Sequence, residues 1–426
     1  MKVKSIKYPT PSVYLDGKMW QFKNGECEMP EGLAIKLSSM NPDYQIDRDE
    51  IPAGLLGFDP STWGKDYKKI IWDGPIGFNN GYGKANMMLA EAMGDRIDTY
   101  AIASDWLGSR YEYVPEKLKV LLDKKPQAID SYYVIFFPAW EFTRAITKRT
   151  VGYTMLEATR IPQSWVNNCN KYCERVIVPC EQQRQAFIDS GVKVDVKSIP
   201  LGLTPSLFPE RSYIDDDNFI FGTMGTLTYR KGTDLLVQAY KKLFPRDKFP
   251  NVYLNIKTLS TAGVAKLWFM DENDLADPRI VLNVESFSPE ELVTNFFHQL
   301  DCFVFPTRGE GFGLPPLEAM MTGLPVIGTG FSGMSEFMLP EVSLPIDYKL
   351  VDVPVGDWRG YPLELQAEGQ QWAEPSLDDL CEKMQYAYVN RDKMKTMGKK
   401  ARKFALKNFS ADLAADRVIN YLNEKF

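Results

Sequence analysis

The order of elements written into this sequence predicts an α/β chain built in two halves. Three observations carry that prediction. Apolar runs of strand length alternate with helical patterns from Lys69 onward, and the alternation restarts at Phe219. The first strand of each half, Ile70-Ile71-Trp72 and Phe219–Met224, runs into a glycine turn: Gly74–Lys84 in one case, Gly225–Gly232 in the other. A third glycine turn, at Gly311 and Gly313, again joins an apolar run to a helix start. Repeated strand, turn and helix units of this kind make parallel sheets, and two sets of them make two Rossmann-like domains facing a cleft.

Length and composition agree with this. A chain of 426 residues holds two to three domains, and 44% apolar with 25% charged residues is the composition of a soluble globular protein. A net charge of −6 argues against a surface made to hold nucleic acid nonspecifically. No run approaches the length that spans a bilayer, and Met1-Lys2-Val3-Lys4 leads into no apolar signal core. The cysteines, at 27, 169, 173, 180, 302 and 381, are scattered as free thiols in a reducing compartment would be, which points to the cytoplasm. Cys169 and Cys173 lie one helical turn apart without a second ligand pair, and with His298 as the single histidine no metal site is expected.

Residues 1–66 differ from the rest. Val13–Leu15, Lys18–Phe22 and Glu26–Met29 read as short strands joined by turns at Asp16-Gly17 and Asn24-Gly25, followed by a short helix over Glu31–Met40. This accessory segment is either a β-ribbon packed on the body or a small docking module through which copies could associate. The body divides at 67–205 and 206–410, and the closing helix, 411–426, is expected to return to the first half.

The chemistry concentrates in Arg308–Met321, which reads R-G-E-G-F-G-L-P-P-L-E-A-M-M. Cys302–Phe305 is a buried strand, Gly311 and Gly313 allow a tight turn, and Leu314-Pro315-Pro316 opens a helix. A strand, turn and helix start of this kind present backbone N–H groups to an anion such as phosphate. Glu310 lies on the turn and Glu318 about one helical turn inside. Two carboxylates beside an anion site suit a ligand that also carries hydroxyls, as a nucleotide sugar does. The second concentration is Gly225-Thr226-Leu227-Thr228-Tyr229-Arg230-Lys231-Gly232, where a basic pair precedes the helix Thr233–Leu243.

The Glu-x7-Glu spacing, with E-G-F-G at its front and G-L-P-V-I-G-T in register behind it, resembles the donor-site motif of retaining glycosyltransferases of the GT-B fold, family 4 in particular. The resemblance implies that Glu310 holds hydroxyls of the transferred sugar and Glu318 the ribose of a UDP- or GDP-type donor, with no cofactor. Gly311, Phe312, Gly313 and Leu314 would line the donor site. Arg230 and Lys231 would clamp the diphosphate. Many members carry an arginine where this chain has Thr226, so the clamp rests on the later pair. The loop after Ile280–Val284 would hold the base, which makes Ser286 and Phe287 candidates.

In the first half, N-N-G-Y-G-K is similar to the glycine loop that opens the acceptor-side domain, so Gly81, Tyr82 and Gly83 would approach the donor diphosphate or the acceptor. Where family members often place a histidine, this chain has Pro138-Ala139-Trp140-Glu141, which leaves Trp140 or Glu141 to line the acceptor pocket. His298 falls in a presumed helix, Pro289–Leu300, away from the site. Glu157 and Arg160 either face the cleft or pair locally.

The partners implied are a nucleotide sugar and an unknown hydroxyl acceptor: glycan, lipid, protein or modified nucleobase. The cluster Lys399, Lys400, Arg402, Lys403 and Lys407 is either a solvated face or a weak contact for an anionic membrane. Two other readings stay open: a nucleotide-sugar-binding or scaffold protein without transfer, and a phage-type transferase acting on hydroxylated DNA bases.

Overall fold

A computed structural model describes residues 69–424, apart from 79, 105–112, 125–130, 146–148, 214–215, 259–275 and 356–364, together with five strands ahead of them. Those strands are β1 (Lys2–Ser5), β2 (Ser12–Leu15), β3 (Lys18–Gln21), β4 (Glu26–Glu28) and β5 (Tyr44–Ile46). β2 and β3 pair antiparallel with Leu15 opposite Lys18. β4 pairs with β1, not with β3, and β5 takes the other edge of β1, so the three expected strands do not run as one meander. The helix expected over Glu31–Met40 lies outside the described residues.

The first half is a six-stranded sheet of β6 (Lys69–Gly74), β7 (Asp98–Ala103), β8 (Tyr132–Phe136), β9 (Thr150–Tyr153), β10 (Arg175–Val178) and β11 (Asp195–Ser198). Its order is β11-β10-β9-β8-β6-β7, and every pair is parallel. Parallel strands need crossovers that cover both faces. Here α1 (Gly81–Gly94), α2 (Glu116–Asp123), α3 (Gln163–Tyr172) and α4 (Glu181–Asp189) supply them, and β8 is buried along its whole length.

The second half repeats the plan with β12 (Phe219–Met224), β13 (Val252–Lys257), β14 (Ile280–Asn283), β15 (Cys302–Phe305), β16 (Val326–Thr329) and β17 (Leu344–Ile346). The order is β14-β13-β12-β15-β16-β17, again parallel throughout. Its helices are α5 (Thr233–Leu243), α6 (Pro289–Asn295) and α7 (Leu314–Thr322). An antiparallel ribbon of β18 (Tyr348–Asp352) and β19 (Gln371–Pro375) follows, then α8 (Leu377–Val389), α9 (Arg391–Asn408) and α10 (Ala411–Asn423). The architecture is the α/β, two-domain one expected.

Two element boundaries differ from the sequence reading, each for a local reason. Asn80 accepts a hydrogen bond from the Gly83 N–H at 2.7 Å, so α1 begins at Gly81, four residues before Ala85. The presumed helix Pro289–Leu300 breaks at Phe296, whose φ of −123° and ψ of −70° are not helical. Phe296 and Phe297 are both fully buried, and a continuous helix would turn adjacent residues about 100° apart. Both pack in the core at the break, and His298 is left in a short 3-10 turn facing Pro209 O.

The last helix fastens to the first half. The Tyr132 hydroxyl donates to Leu422 O at 3.0 Å, Arg96 pairs with Asp416 at 2.6 Å, and the Tyr421 hydroxyl donates to Asp195 Oδ2 at 2.7 Å. Arg402 of α9 turns inward and donates to the carbonyls of Phe208 and Met321, while Lys399, Lys400, Lys403 and Lys407 are exposed. The described cysteines are buried and free. No helix among the described residues is long and apolar enough to cross a membrane.

If α10 is held by the Tyr421–Asp195 contact, Tyr421→Phe should cost about 1.5 kcal/mol, the usual value for a hydrogen bond to a charged acceptor. A thermal melt unchanged from wild type would show that this hydrogen bond does not hold the helix.

Candidate active site

Strand order reverses in the second half between β12 and β15, and ligands of open α/β sheets bind outside the carboxyl ends of the strands at such a point. The loops leaving these two strands carry the basic pair and Glu310. After β12 the chain makes a 3-10 turn over Tyr229–Lys231 and enters α5 through Gly232, at φ 69°. A Cβ at Gly232 would lie 1.8 Å from Pro306 O, so only glycine lets the two loops close on each other. They are stitched by Arg308 N–H to Arg230 O at 2.7 Å and by the Thr307 hydroxyl to the same carbonyl at 3.1 Å.

Two cationic donors converge on Glu310 Oε1, Lys231 Nζ at 2.7 Å and an Arg230 guanidinium nitrogen at 3.0 Å, and the Thr307 hydroxyl lies 3.1 Å from it, its single proton shared between this carboxylate and Arg230 O. Burial alone would raise the Glu310 carboxyl, but Lys231 and Arg230 overcome it and hold the group below its ordinary 4.5. Burial, with Arg230 beside it, draws the Lys231 ammonium below its ordinary value. Beneath this cluster lies Arg308, which gives two hydrogen bonds to Asp234 (2.9 Å each) and two to Glu374 (2.8 and 3.0 Å). Its guanidinium carbon is 3.6 Å from the centre of the Tyr229 ring. Nothing in the sequence marks Asp234 and Glu374 as its partners.

The first half closes against this cluster. Glu157 Oε1 is 3.9 Å from the Arg230 guanidinium, and a Cβ on Gly309 would lie 2.1 Å from Glu157 O. Gln183 donates to Gly311 O and, at 2.9 Å, to the Ser332 hydroxyl, which itself donates to Leu156 O at 2.9 Å. Lys84, from the first turn of α1, reaches Glu318 Oε1 at 2.6 Å. Sequence reasoning passed over both Gln183 and Lys84.

The remaining candidates fall in different places. Pro315 and Pro316 remove two N–H donors from the start of α7, so the donors there are the N–H groups before Pro315. Phe312 packs in the core against Phe337 and Phe409, so it offers the site backbone only. Leu314 is likewise buried, and Gly313, at φ 91°, caps the helix.

Gly81 and Gly83 belong to the helix and not to the loop. A Cβ at Gly81 would meet open space, and one at Gly83 would lie 2.7 Å from Gly77 O. The Tyr82 hydroxyl accepts from Met155 N at 3.1 Å beside Thr154, and burial pushes its pKa up. Trp140 turns edge-on to Trp165 and donates to Glu141 at 3.1 Å, contacts that stay within the first half. Arg160 is exposed, its carbonyl accepting from Gln370. Thr226 and Ser286 are exposed, and Phe287 lies beneath Lys257 Nζ.

Fold and site together define a two-domain α/β protein of the GT-B type, with a charged cluster at the second half's switch point. Comparison with known proteins then names the domain that carries the cluster: residues 207–343 match the family model described as Glycosyl transferases group 1. Over 134 residues the chain is 31% identical to the lipopolysaccharide core biosynthesis mannosyltransferase LpsB of Rhizobium meliloti, covering 29% of this chain and 35% of that one. Over 122 residues it is 30% identical to the capsular polysaccharide biosynthesis glycosyltransferase CapM of Staphylococcus aureus, covering 28% and 30%. The chain thus spans about a third of the length of the curated relatives it matches.

Solved structures reach further along the chain. A glycosyltransferase from Rickettsia africae superposes with a TM-score of 0.59 at 15% identity, covering 84% of this chain and 98% of that one. Anabaena Alr3699/HepE in complex with UDP and glucose gives 0.56 at 15% identity, covering 84% and 100%. At such identities the likeness is one of fold.

The depressed Glu310 carboxyl has a consequence for acid stability. Its contribution is fully present above 4.5 and is lost as the pH falls through the lower folded value. Glu310→Gln should therefore flatten the acid limb of the melting-temperature profile below 4.5. An acid limb as steep in the variant as in wild type would place the titrating group elsewhere.

Proposed function

We propose that this chain is a retaining glycosyltransferase that moves a sugar from a nucleoside diphosphate to a hydroxyl acceptor without needing a metal ion. The observation that carries the reading is the convergence of Lys231, Arg230 and Thr307 on Glu310 at the switch point, across the cleft from Glu157. A departing nucleoside diphosphate builds negative charge on its β-phosphate. Two partly buried cations already gathered at the switch point stabilise that charge once they turn from Glu310 to the diphosphate, as a divalent ion does in other sites.

In this mechanism Arg230 and Lys231 turn to the diphosphate, and Glu310 accepts hydrogen bonds from hydroxyls of the sugar. Glu318 takes the ribose. The acceptor oxygen attacks the anomeric carbon on the face the phosphate leaves. The bond from that carbon to the β-phosphate oxygen breaks as the new glycosidic bond forms, and the acceptor's proton passes to the leaving phosphate. Glu310 orients the sugar and forms no covalent bond to it. The contacts of Gln183, Ser332 and Glu157 across the cleft exclude water, which limits hydrolysis of the donor.

The relatives support a nucleotide sugar as donor: the Anabaena neighbour is a complex with UDP and glucose, and LpsB is a mannosyltransferase. Buried free thiols fit a reducing compartment such as the cytoplasm.

The test is a panel of UDP- and GDP-sugars, read by thermal stabilisation and by slow hydrolysis, with and without EDTA. One donor should stabilise the protein and be hydrolysed equally well in EDTA. Lys231→Ala should lower the rate ~10²–10³-fold with folding intact, and Glu310→Ala should also abolish the sugar preference. Donor binding without any turnover would instead make the protein a nucleotide-sugar-binding one, and loss of turnover in EDTA would remove the metal-free mechanism.

A further inference from the structure

Lys84 and Glu318 form the buried ion pair that joins the two halves beside the proposed nucleotide site. Lys84 Nζ sits 2.6 Å from Glu318 Oε1, with the Glu318 side chain fully buried. Oε2 of the same carboxylate has no hydrogen-bond partner among the described residues. A buried carboxylate oxygen left without a donor is costly and uncommon in folded proteins. One oxygen is therefore committed to the first half and the other is unmatched.

We infer that Lys84 is a positioning residue of the nucleotide site: it holds Glu318 by one oxygen so that the other is left for the ribose hydroxyls. This rests on the glycosyltransferase reading, which assigns the ribose to Glu318, and adds a first-half residue to it. Lys84 lies in the first turn of α1 and Glu318 inside α7, so the pair exists only while the cleft is closed. Opening the cleft carries Lys84 away and admits the nucleotide; closing returns it and fixes the carboxylate on the ribose. Without the ammonium, nothing across the cleft holds the first oxygen, and the second is no longer fixed towards the ribose.

The test compares binding of UDP and GDP with binding of their dideoxyribose forms to the full-length protein by calorimetry. Wild type should prefer the ribose form about tenfold or more, the range for a hydrogen bond to an ionised group. Lys84→Met should bring that preference within about threefold while the dideoxy form binds as before, and Lys84→Arg should keep it. A merely structural lysine would weaken both forms alike, and that result, or a full ribose preference in Lys84→Met, overturns the assignment. Should Lys84→Met fail to fold, Lys84→Gln carries the same comparison. Wild type binding neither diphosphate would defeat the glycosyltransferase reading itself. Ribose preference that survives in Lys84→Met, or in Lys84→Gln where that variant replaces it, defeats only the role of Lys84.

Discussion

The geometry of the site depends on one buried guanidinium. Arg308 joins three segments remote in sequence: its own loop after β15, the first turn of α5 through Asp234, and β19 through Glu374. A lone buried cation would be expelled at a cost of several kcal/mol, but two carboxylates, each held by a pair of hydrogen bonds, offset that cost. The arrangement also explains the turn above it. Arg308 N–H and the Thr307 hydroxyl both point at Arg230 O, and the Arg308 guanidinium donates to Tyr229 O. The backbone of the basic pair is therefore fixed by hydrogen bonds that involve neither basic side chain.

That division of labour leaves the side chains of Arg230 and Lys231 for something else. Two partly buried cations side by side repel, and Glu310 between them offsets the repulsion. A diphosphate carries more negative charge than one carboxylate and would compete for both cations. Glu310 would then be released to a neighbouring hydroxyl. The two shifts have different origins: Lys231 and Arg230 hold the Glu310 carboxyl down against burial, whereas burial, with Arg230 beside it, draws the Lys231 ammonium down against the pull of Glu310.

Local signals made the second half legible. The bounds of β12 and α5 could be read from the apolar run, the glycine and the helical period, and Glu310 on its turn and the Arg230-Lys231 pair ahead of α5 each stand out within a short stretch, although nothing local shows that they meet across 80 and 79 residues. The misses are of two kinds. One is local competition: Asn80 captures the helix start that the glycines of the same stretch concealed, and the buried Phe296-Phe297 pair overrides a regular helical pattern. The other is distance. Lys84 and Glu318 are separated by 234 residues, Gln183 and Gly311 by 128, and Arg308 and Glu374 by 66. No periodicity within one element can announce such pairs, and Trp140, chosen by its position after a strand, packs on Trp165 for the same reason.

The two halves also differ in how sequence constrains them. The family match covers 207–343, whereas the fold likeness extends over 84% of the chain. The contacts across the cleft are of two kinds. Two use first-half backbone carbonyls: Leu156 O accepts from Ser332, and Glu157 O abuts Gly309. A carbonyl is supplied by any residue at that position, so these two contacts constrain the path of the first-half chain and not its side chains. The others are made through first-half side chains: Gln183 to Gly311 O, Lys84 to Glu318 and Glu157 to Arg230. The last two meet residues to which the proposed donor chemistry assigns a role, so on the first half's side of the cleft these are the positions where that proposal makes side-chain identity matter most.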